Sequence, residues 1–175
     1  MRHWKDAKTV ADLGQLMADW LEGRIPRRPG YGDTRPDPET NELIPVLAAC
    51  NRAGFITDSS QPGFDGPGFD GAHWRQRAAV TGFVADRALL ARLASEARAA
   101  GLQIVTDGRP VVAVERNGES RLAFGDKIRR GYMRTIWGGI GRDALREVSA
   151  AQQIAIIDPV WGESDRLWQM LRQVT

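Results

Sequence analysis

Small polar side chains cluster directly after the apolar pair Phe55 and Ile56. The run TDSSQ, residues 57–61, brings hydroxyl, carboxyl and amide groups together and is followed by Pro62. Such groups exchange hydrogen bonds with the carboxylate, amino or ribose groups of a small molecule. The same residue types are also common in turns. The run therefore indicates either the wall of a ligand site or an ordinary turn.

A second polar pair, Glu39 and Thr40, precedes the apolar segment that leads to this run. A carboxylate there can hold a cationic ligand group, and either Glu39 or Asp58 is a candidate general base. Both members of the pair also suit the first turn of a helix, where a glutamate complements the helix dipole. Taken singly, each residue has a structural explanation.

Capping residues predict the helix that separates the two polar segments. Asp37 suits the N-cap, Pro38 the first helical position and Gly54 the position after the end. We predict a helix from Pro38 to Arg52, with a kink or a later true start at Pro45. A strand over residues 54–58 follows.

The rest of the chain alternates between helical and extended patterns. Helices are predicted over residues 9–23, 86–101, 142–150 and 163–173, and strands over 76–84, 102–106, 131–139 and 154–158. A hairpin over 110–124 turns at Asn117–Gly118, and the glycine-rich segment 62–74 is predicted as a loop. This mixture predicts an α+β fold: one domain over residues 1–175 with a mixed or largely antiparallel sheet and flanking helices.

Composition excludes several classes of protein. The chain has 175 residues, 42% of them hydrophobic, and 24 Lys and Arg against 22 Asp and Glu. This near balance gives no electrostatic footprint for nucleic acid. One cysteine and two distant histidines, His3 and His73, predict no metal site. Without an apolar run long enough for a membrane span or a signal segment, we expect a soluble, cytoplasmic protein.

Three segments together resemble one known family. They read "WKD…DLGQL…WLEGRI", "ET…LIPVLAACNRAGFITDSSQP" and "TIWGGIGR…IIDPVW…LW". In this order they are similar to the C-terminal regulatory domain of eukaryotic methylenetetrahydrofolate reductase, over roughly Trp4 to Trp168. The Glu-Thr pair combined with the Ser-Gln-Pro segment is the most specific part of the resemblance.

The resemblance implies a binding module for S-adenosylmethionine and S-adenosylhomocysteine. Carried over by position, Glu39, Thr40, Thr57 and Ser60 contribute to the pocket. A later threonine of the family lies directly beside a tryptophan. In this chain Ile136 precedes Trp137, so Thr135 is one position further from the tryptophan. Trp137 is a candidate to stack on the base of the ligand. A last family threonine corresponds to Ala155. The catalytic barrel of the reductase has no counterpart in this chain, so folate reduction is not implied.

We therefore expect Glu39, Thr40, Thr57 and Ser60 to converge on one cavity. The first functional hypothesis is a stand-alone binding domain for S-adenosylmethionine, S-adenosylhomocysteine or a related adenine nucleoside, without a metal, acting as sensor, sequestering protein or regulator. The second is an enzyme that cleaves such a ligand or transfers a group from it. The third is a protein-interaction module that has lost the pocket. A protein partner and a homodimer are left open.

Overall fold

The computed structural model describes residues 3–31 and 35–175, which form one α+β domain. Within these residues the strands are β1 (Phe55–Gln61), β2 (Phe64–Pro67), β3 (His73–Val84), β4 (Gln103–Val105), β5 (Val111–Arg116), β6 (Glu119–Phe124) and β7 (Gln152–Trp161). The α-helices are α1 (Val10–Leu21), α2 (Ile44–Arg52), α3 (Arg87–Ala99), α4 (Arg130–Ile136), α5 (Arg142–Ala150) and α6 (Arg166–Val174). The predicted α+β class is confirmed.

Strand β3 connects the two parts of the sheet. Its second half pairs with β1 and β7, and its first half pairs with β2 and β5. Strand β4 adds to β7, and β6 adds to β5, so that every pairing among the described strands is antiparallel. Side chains from all six helices and from β1, β3 and β7 share the main apolar core.

Several helix starts and one turn lie where capping and turn residues in the sequence predict them. The hydroxyl of Thr9 accepts from the N–H of Asp12 and completes a capping box at α1. Asp86 caps α3 in a similar way. At the predicted hairpin, Asn117 and Gly118 have φ angles of +50° and +81°, as a type I′ turn requires.

The predicted helix before the polar run is confirmed in position but is divided in two. Residues Pro38–Leu43 form a 3₁₀ helix, and α2 then begins at Ile44 with Pro45 in its first turn. Proline fits there because the N–H groups of the first turn have no partner within the helix. Gly54, with a φ of +97°, turns the chain directly into β1.

Strand β1 is longer than predicted because it includes the polar run. Residues 59–61 pair with residues 79–81 of β3, so the run is part of the sheet and not a turn. The loop predicted over 62–74 is also wrong in part, since β2 lies within it and pairs with β3. The positions of the hydroxyl and carboxyl groups in the run are therefore set by the pairing of its backbone with β3.

The strand predicted over 131–139 is wrong, because α4 occupies most of it. Tyr132, Thr135 and Ile136 all favour strands by propensity. Met133 and Trp137, however, are four positions apart and are exposed to only 1% and 2%. That spacing puts both on one side of a helix, so packing of these two side chains outweighs the local preference.

Asn51 ties α2 to β1. Its Nδ2 donates to the carbonyl of Leu47 at 2.8 Å and to Thr57 Oγ1 at 2.7 Å, and its Oδ1 accepts from the Thr57 N–H at 3.1 Å. Helix α1 packs at the same point because Gly14 has no side chain; a Cβ there would lie 2.1 Å from the Asn51 carbonyl oxygen. Asn51 thus fixes the position of Thr57 relative to both helices.

Among the helices of residues 3–31 and 35–175, none combines the length and the apolar character that crossing a bilayer requires.

We expect Asn51→Ala to lower the free energy of unfolding by about 1–3 kcal/mol, because the buried Thr57 N–H loses its acceptor. Urea denaturation of the wild type and the variant measures this difference. Gln103→Ala, at an exposed position of β4, is the control and should change stability by less than about 0.5 kcal/mol. Equal stability of Asn51→Ala and the wild type would show that the Asn51 hydrogen bonds do not hold β1.

Candidate ligand-binding site

Three of the sequence-predicted binding residues line one small cavity. Thr40, Thr57 and Ser60 border a volume of about 80 Å³ between α1, the 3₁₀ helix Pro38–Leu43 and β1. The hydroxyls of Thr40 and Ser60 have no hydrogen-bond partner within the described ranges. The Thr57 hydroxyl already accepts from Asn51. Thr40 and Ser60 therefore offer free hydroxyls, whereas Thr57 is also a structural residue.

The structure places Glu39 outside this cavity, so the predicted convergence holds for three residues and not for the fourth. Glu39 is exposed and borders a separate open groove of about 760 Å³, together with Glu42 and Trp168. The cause is local: with three residues per turn, consecutive residues of a 3₁₀ helix point about 120° apart. Because Thr40 points inward, Glu39 points away. Partial burial and, second, nearby Asp37 raise the pKa of the Glu39 carboxyl.

The two residues predicted from the later segment also lie away from the cavity. Thr135 is exposed on α4. Trp137, which follows α4, is 2% exposed and packs edge-on against Phe83 with ring centroids 6.1 Å apart. Since α4 replaces the predicted strand, the geometry that would bring these side chains to the ligand is absent. Trp137 is a core residue in this structure, not a ring beside the cavity.

Asp58 is placed by a β-bulge. Thr57 pairs with Gly82 and Ser59 with Thr81, so Asp58 is an extra residue whose backbone has no paired residue on β3. The Thr81 hydroxyl donates to Asp58 Oδ1 at 2.5 Å. Burial raises the pKa of the Asp58 carboxyl, although the bond from Thr81 and the charge of Arg28 act in the opposite direction. The bulge therefore places Asp58, whose carboxyl has a raised pKa, at the border of the small cavity and of a neighbouring cleft.

Arg28 is the cationic group at the cavity. Its guanidinium lies 5.0 Å from the centroid of the Trp20 ring and 4.7 Å from that of Tyr31. Its Nη2 donates to the carbonyl oxygen of Asp58 at 3.0 Å. Burial lowers the pKa of Arg28, yet a guanidinium stays protonated at neutral pH. The aromatic contacts and the bond to Asp58 hold the charge in place against the cavity.

Two buried donors at this cavity are left without acceptors. Arg28 Nε and Trp20 Nε1 are inaccessible to solvent and have no hydrogen-bond partner among the described residues. Trp20 as a whole is only 4% exposed. Buried donors without acceptors are uncommon in folded proteins and call for an explanation, such as an unseen water or a ligand.

Sequence reasoning found the hydroxyls but missed Arg28, Trp20 and Tyr31. In the sequence, Arg28 is half of a short basic pair, Arg27–Arg28, in a proline-containing segment, and nothing in that pattern points to a site. Trp20 belongs to the apolar stripe of α1, and no spacing rule connects a helix residue to a loop residue after it. Only the packing of the loop against α1 brings the three side chains together.

A larger cleft of about 600 Å³ shares the bulge with the small cavity. Asp58 and Ser59 border both volumes, and the cleft is completed by residues of β3 and β7 and by the segment 125–128. Within residues 3–31 and 35–175, no group of three or more His, Cys, Asp or Glu side chains is placed to hold a metal ion.

Asp58→Asn is expected to raise the free energy of unfolding at pH 7. Because the folded state raises the pKa of Asp58, it binds a proton more tightly than the unfolded chain does. Stability of the wild type therefore falls as pH rises from the unfolded value of about 3.9 through the higher folded value. The amide cannot ionise, so the advantage of the variant should be smallest near pH 3 and full above the folded pKa.

Urea denaturation between pH 3 and pH 8 measures this difference. Asp107→Asn is the matched control, since the Asp107 side chain is 56% exposed. A difference between Asp58→Asn and the wild type that does not vary with pH would contradict the assignment of a buried, proton-retaining carboxyl.

Comparison with known proteins assigns the chain to a family but gives no activity. No curated protein is significantly similar to it. One family model matches residues 1–175, the whole chain. The protein therefore belongs to the family described as "Domain of unknown function (DUF6919)".

Proposed function

We propose that this chain is a binding domain for S-adenosylmethionine, S-adenosylhomocysteine or a related adenine nucleoside, acting in the cytoplasm as sensor, sequestering protein or regulator of a partner. The observation that carries the proposal is the convergence of Thr40, Thr57 and Ser60 on one cavity. These are three of the four positions that the resemblance to the reductase regulatory domain implies. Their convergence depends on the 3₁₀ helix and on β1, two elements joined only through α2.

The charges at the cavity support a charged ligand. A cationic guanidinium and a carboxyl group border the same volume as the free hydroxyls of Thr40 and Ser60. Sites for drug-sized ligands usually measure about 300–1,000 Å³, far above the volume of about 80 Å³ here. The cavity therefore has room for one end of a nucleoside ligand, and the remainder lies outside it.

Calorimetric titration with S-adenosylmethionine, S-adenosylhomocysteine and adenosine tests the proposal. Thr40→Val and Ser60→Ala should each weaken binding by about 0.5–1.5 kcal/mol, the net value of one neutral hydrogen bond, or roughly two- to twelvefold. Ser120→Ala removes an exposed hydroxyl on β6 and serves as the control. No heat of binding with any of the three compounds would overturn the proposal and favour the protein-interaction module.

A second candidate function is an enzyme that acts on such a ligand, and the buried carboxyl of Asp58 favours it. A carboxyl group with a raised pKa that borders a cavity is a candidate to exchange a proton with a substrate. Chromatography after long incubation with S-adenosylmethionine separates the two functions. If the protein only binds the ligand, S-adenosylmethionine should disappear no faster than in a protein-free control. An enzyme predicts a product that disappears with Asp58→Asn.

A further inference from the structure

Arg28, Trp20 and Asp58 all border the small cavity, and Arg28 Nη2 donates to the carbonyl oxygen of Asp58 at 3.0 Å. We propose that this cavity recognises a free α-amino-acid group, with the ligand carboxylate bound by Arg28 and Trp20 and the ligand ammonium bound by Asp58. The inference rests on the proposed function for the nucleoside part of the ligand. It adds the chemical group that enters the cavity and the residues that select it.

Two unpartnered donors belong to the residues that would bind the carboxylate. Arg28 Nε and Trp20 Nε1 are both buried without an acceptor among the described residues, and Trp20 is 4% exposed. A water molecule can accept from such donors, but a carboxylate supplies two acceptor oxygens and also a negative charge beside the guanidinium. Carboxylate is also the group whose planar geometry matches a guanidinium.

The guanidinium is held ready for such a partner. The rings of Trp20 and Tyr31 lie 5.0 and 4.7 Å from it, and its Nη2 is fixed on the Asp58 carbonyl at 3.0 Å. Within the described ranges no carboxylate forms a salt bridge with Arg28. A positioned, partly buried cation without a salt-bridge partner favours an anion from outside the chain.

Asp58 is the residue that would contact the ligand ammonium. Asp37 and Asp58 are the described acidic residues that border the cavity, and the carboxyl of Asp37 already accepts from the Tyr31 hydroxyl at 2.9 Å. The Asp58 carboxyl is held by Thr81 and takes part in no salt bridge shorter than 4.0 Å with a described residue. A ligand ammonium beside it would favour the ionised carboxylate and offset the effect of burial.

The size of the cavity limits what enters it. A volume of about 80 Å³ corresponds to between two and three water molecules at roughly 30 Å³ each. An α-amino-acid head has five heavy atoms and fits that space, whereas an adenine ring system does not. The side chain of the amino acid must leave the cavity, and in S-adenosylmethionine that side chain carries the nucleoside.

Matched ligands test the two halves of the recognition separately. S-adenosylhomocysteine is compared by calorimetry with 5′-methylthioadenosine, which keeps the nucleoside and lacks the amino-acid group. We expect the first to bind roughly 10- to 100-fold more tightly, the range of charge-assisted hydrogen bonds. L-methionine should also bind, whereas 4-(methylthio)butanoate, which lacks the ammonium group, and 3-(methylthio)propylamine, which lacks the carboxylate, should bind more weakly.

Variants assign the selection to residues. Arg28→Gln should bring the affinities for S-adenosylhomocysteine and 5′-methylthioadenosine close together, and Asp58→Asn should remove the advantage of L-methionine over 4-(methylthio)butanoate. Arg109→Gln, whose side chain is 89% exposed, is the control and should keep the wild-type ratios. If Arg28→Gln does not fold, Arg28→Lys and the ligand comparison on the wild type still test whether the cavity selects an amino-acid group.

The outcomes separate this inference from the proposed function. Equal wild-type affinity for S-adenosylhomocysteine and 5′-methylthioadenosine overturns the inference and leaves nucleoside binding intact. Binding of L-methionine without any nucleoside supports the inference and overturns the nucleoside function. Absence of binding by every compound overturns both.

Discussion

The structure depends on one strand, β3, which carries hydrogen-bonded partners on both edges along its length. Strand β1 approaches it so closely at Gly82 that a Cβ there would lie 2.2 Å from the carbonyl oxygen of Ile56. That approach fixes β1 in register up to Thr57, and the register then slips by one residue. The slip leaves the backbone of Asp58 without a paired residue on β3 and places Asp58 at the border of two cavities. The candidate site is thus a consequence of how β1 is paired.

The small cavity is then completed from the helical side. Gly14 lets α1 reach the end of α2, Asn51 fastens α2 to β1, and the loop after α1 returns Arg28 over Trp20. The result is a volume of about 80 Å³ with a positioned cation, a buried carboxyl and free hydroxyls. Such an arrangement costs desolvation of both charges. A ligand with complementary charges recovers part of that cost, which is the physical reason for proposing one.

The predictable parts of the fold were those set by local chemistry. Thr9, Asp86 and the Asn117–Gly118 turn specify their element ends through backbone hydrogen bonds and φ angles that few residues allow. Of the site, Thr40, Thr57 and Ser60 were predicted through the resemblance. The prediction for Glu39 was wrong because consecutive residues of a 3₁₀ helix point about 120° apart, so Glu39 points away from the cavity that Thr40 faces. The strand predicted over 131–139 was wrong because burial of Met133 and Trp137 outweighed strand propensity. Arg28 was beyond prediction because its role depends on contacts between residues of a helix and a loop.

The central claim is that the Arg28–Asp58 cavity receives a ligand. A crystal structure of the protein with S-adenosylhomocysteine tests it most directly. The account predicts density for the amino-acid group within hydrogen-bonding distance of Arg28 Nε and Trp20 Nε1, with the ligand nitrogen towards Asp58. Density for the whole ligand in the cleft of about 600 Å³, with the small cavity unchanged, would contradict it.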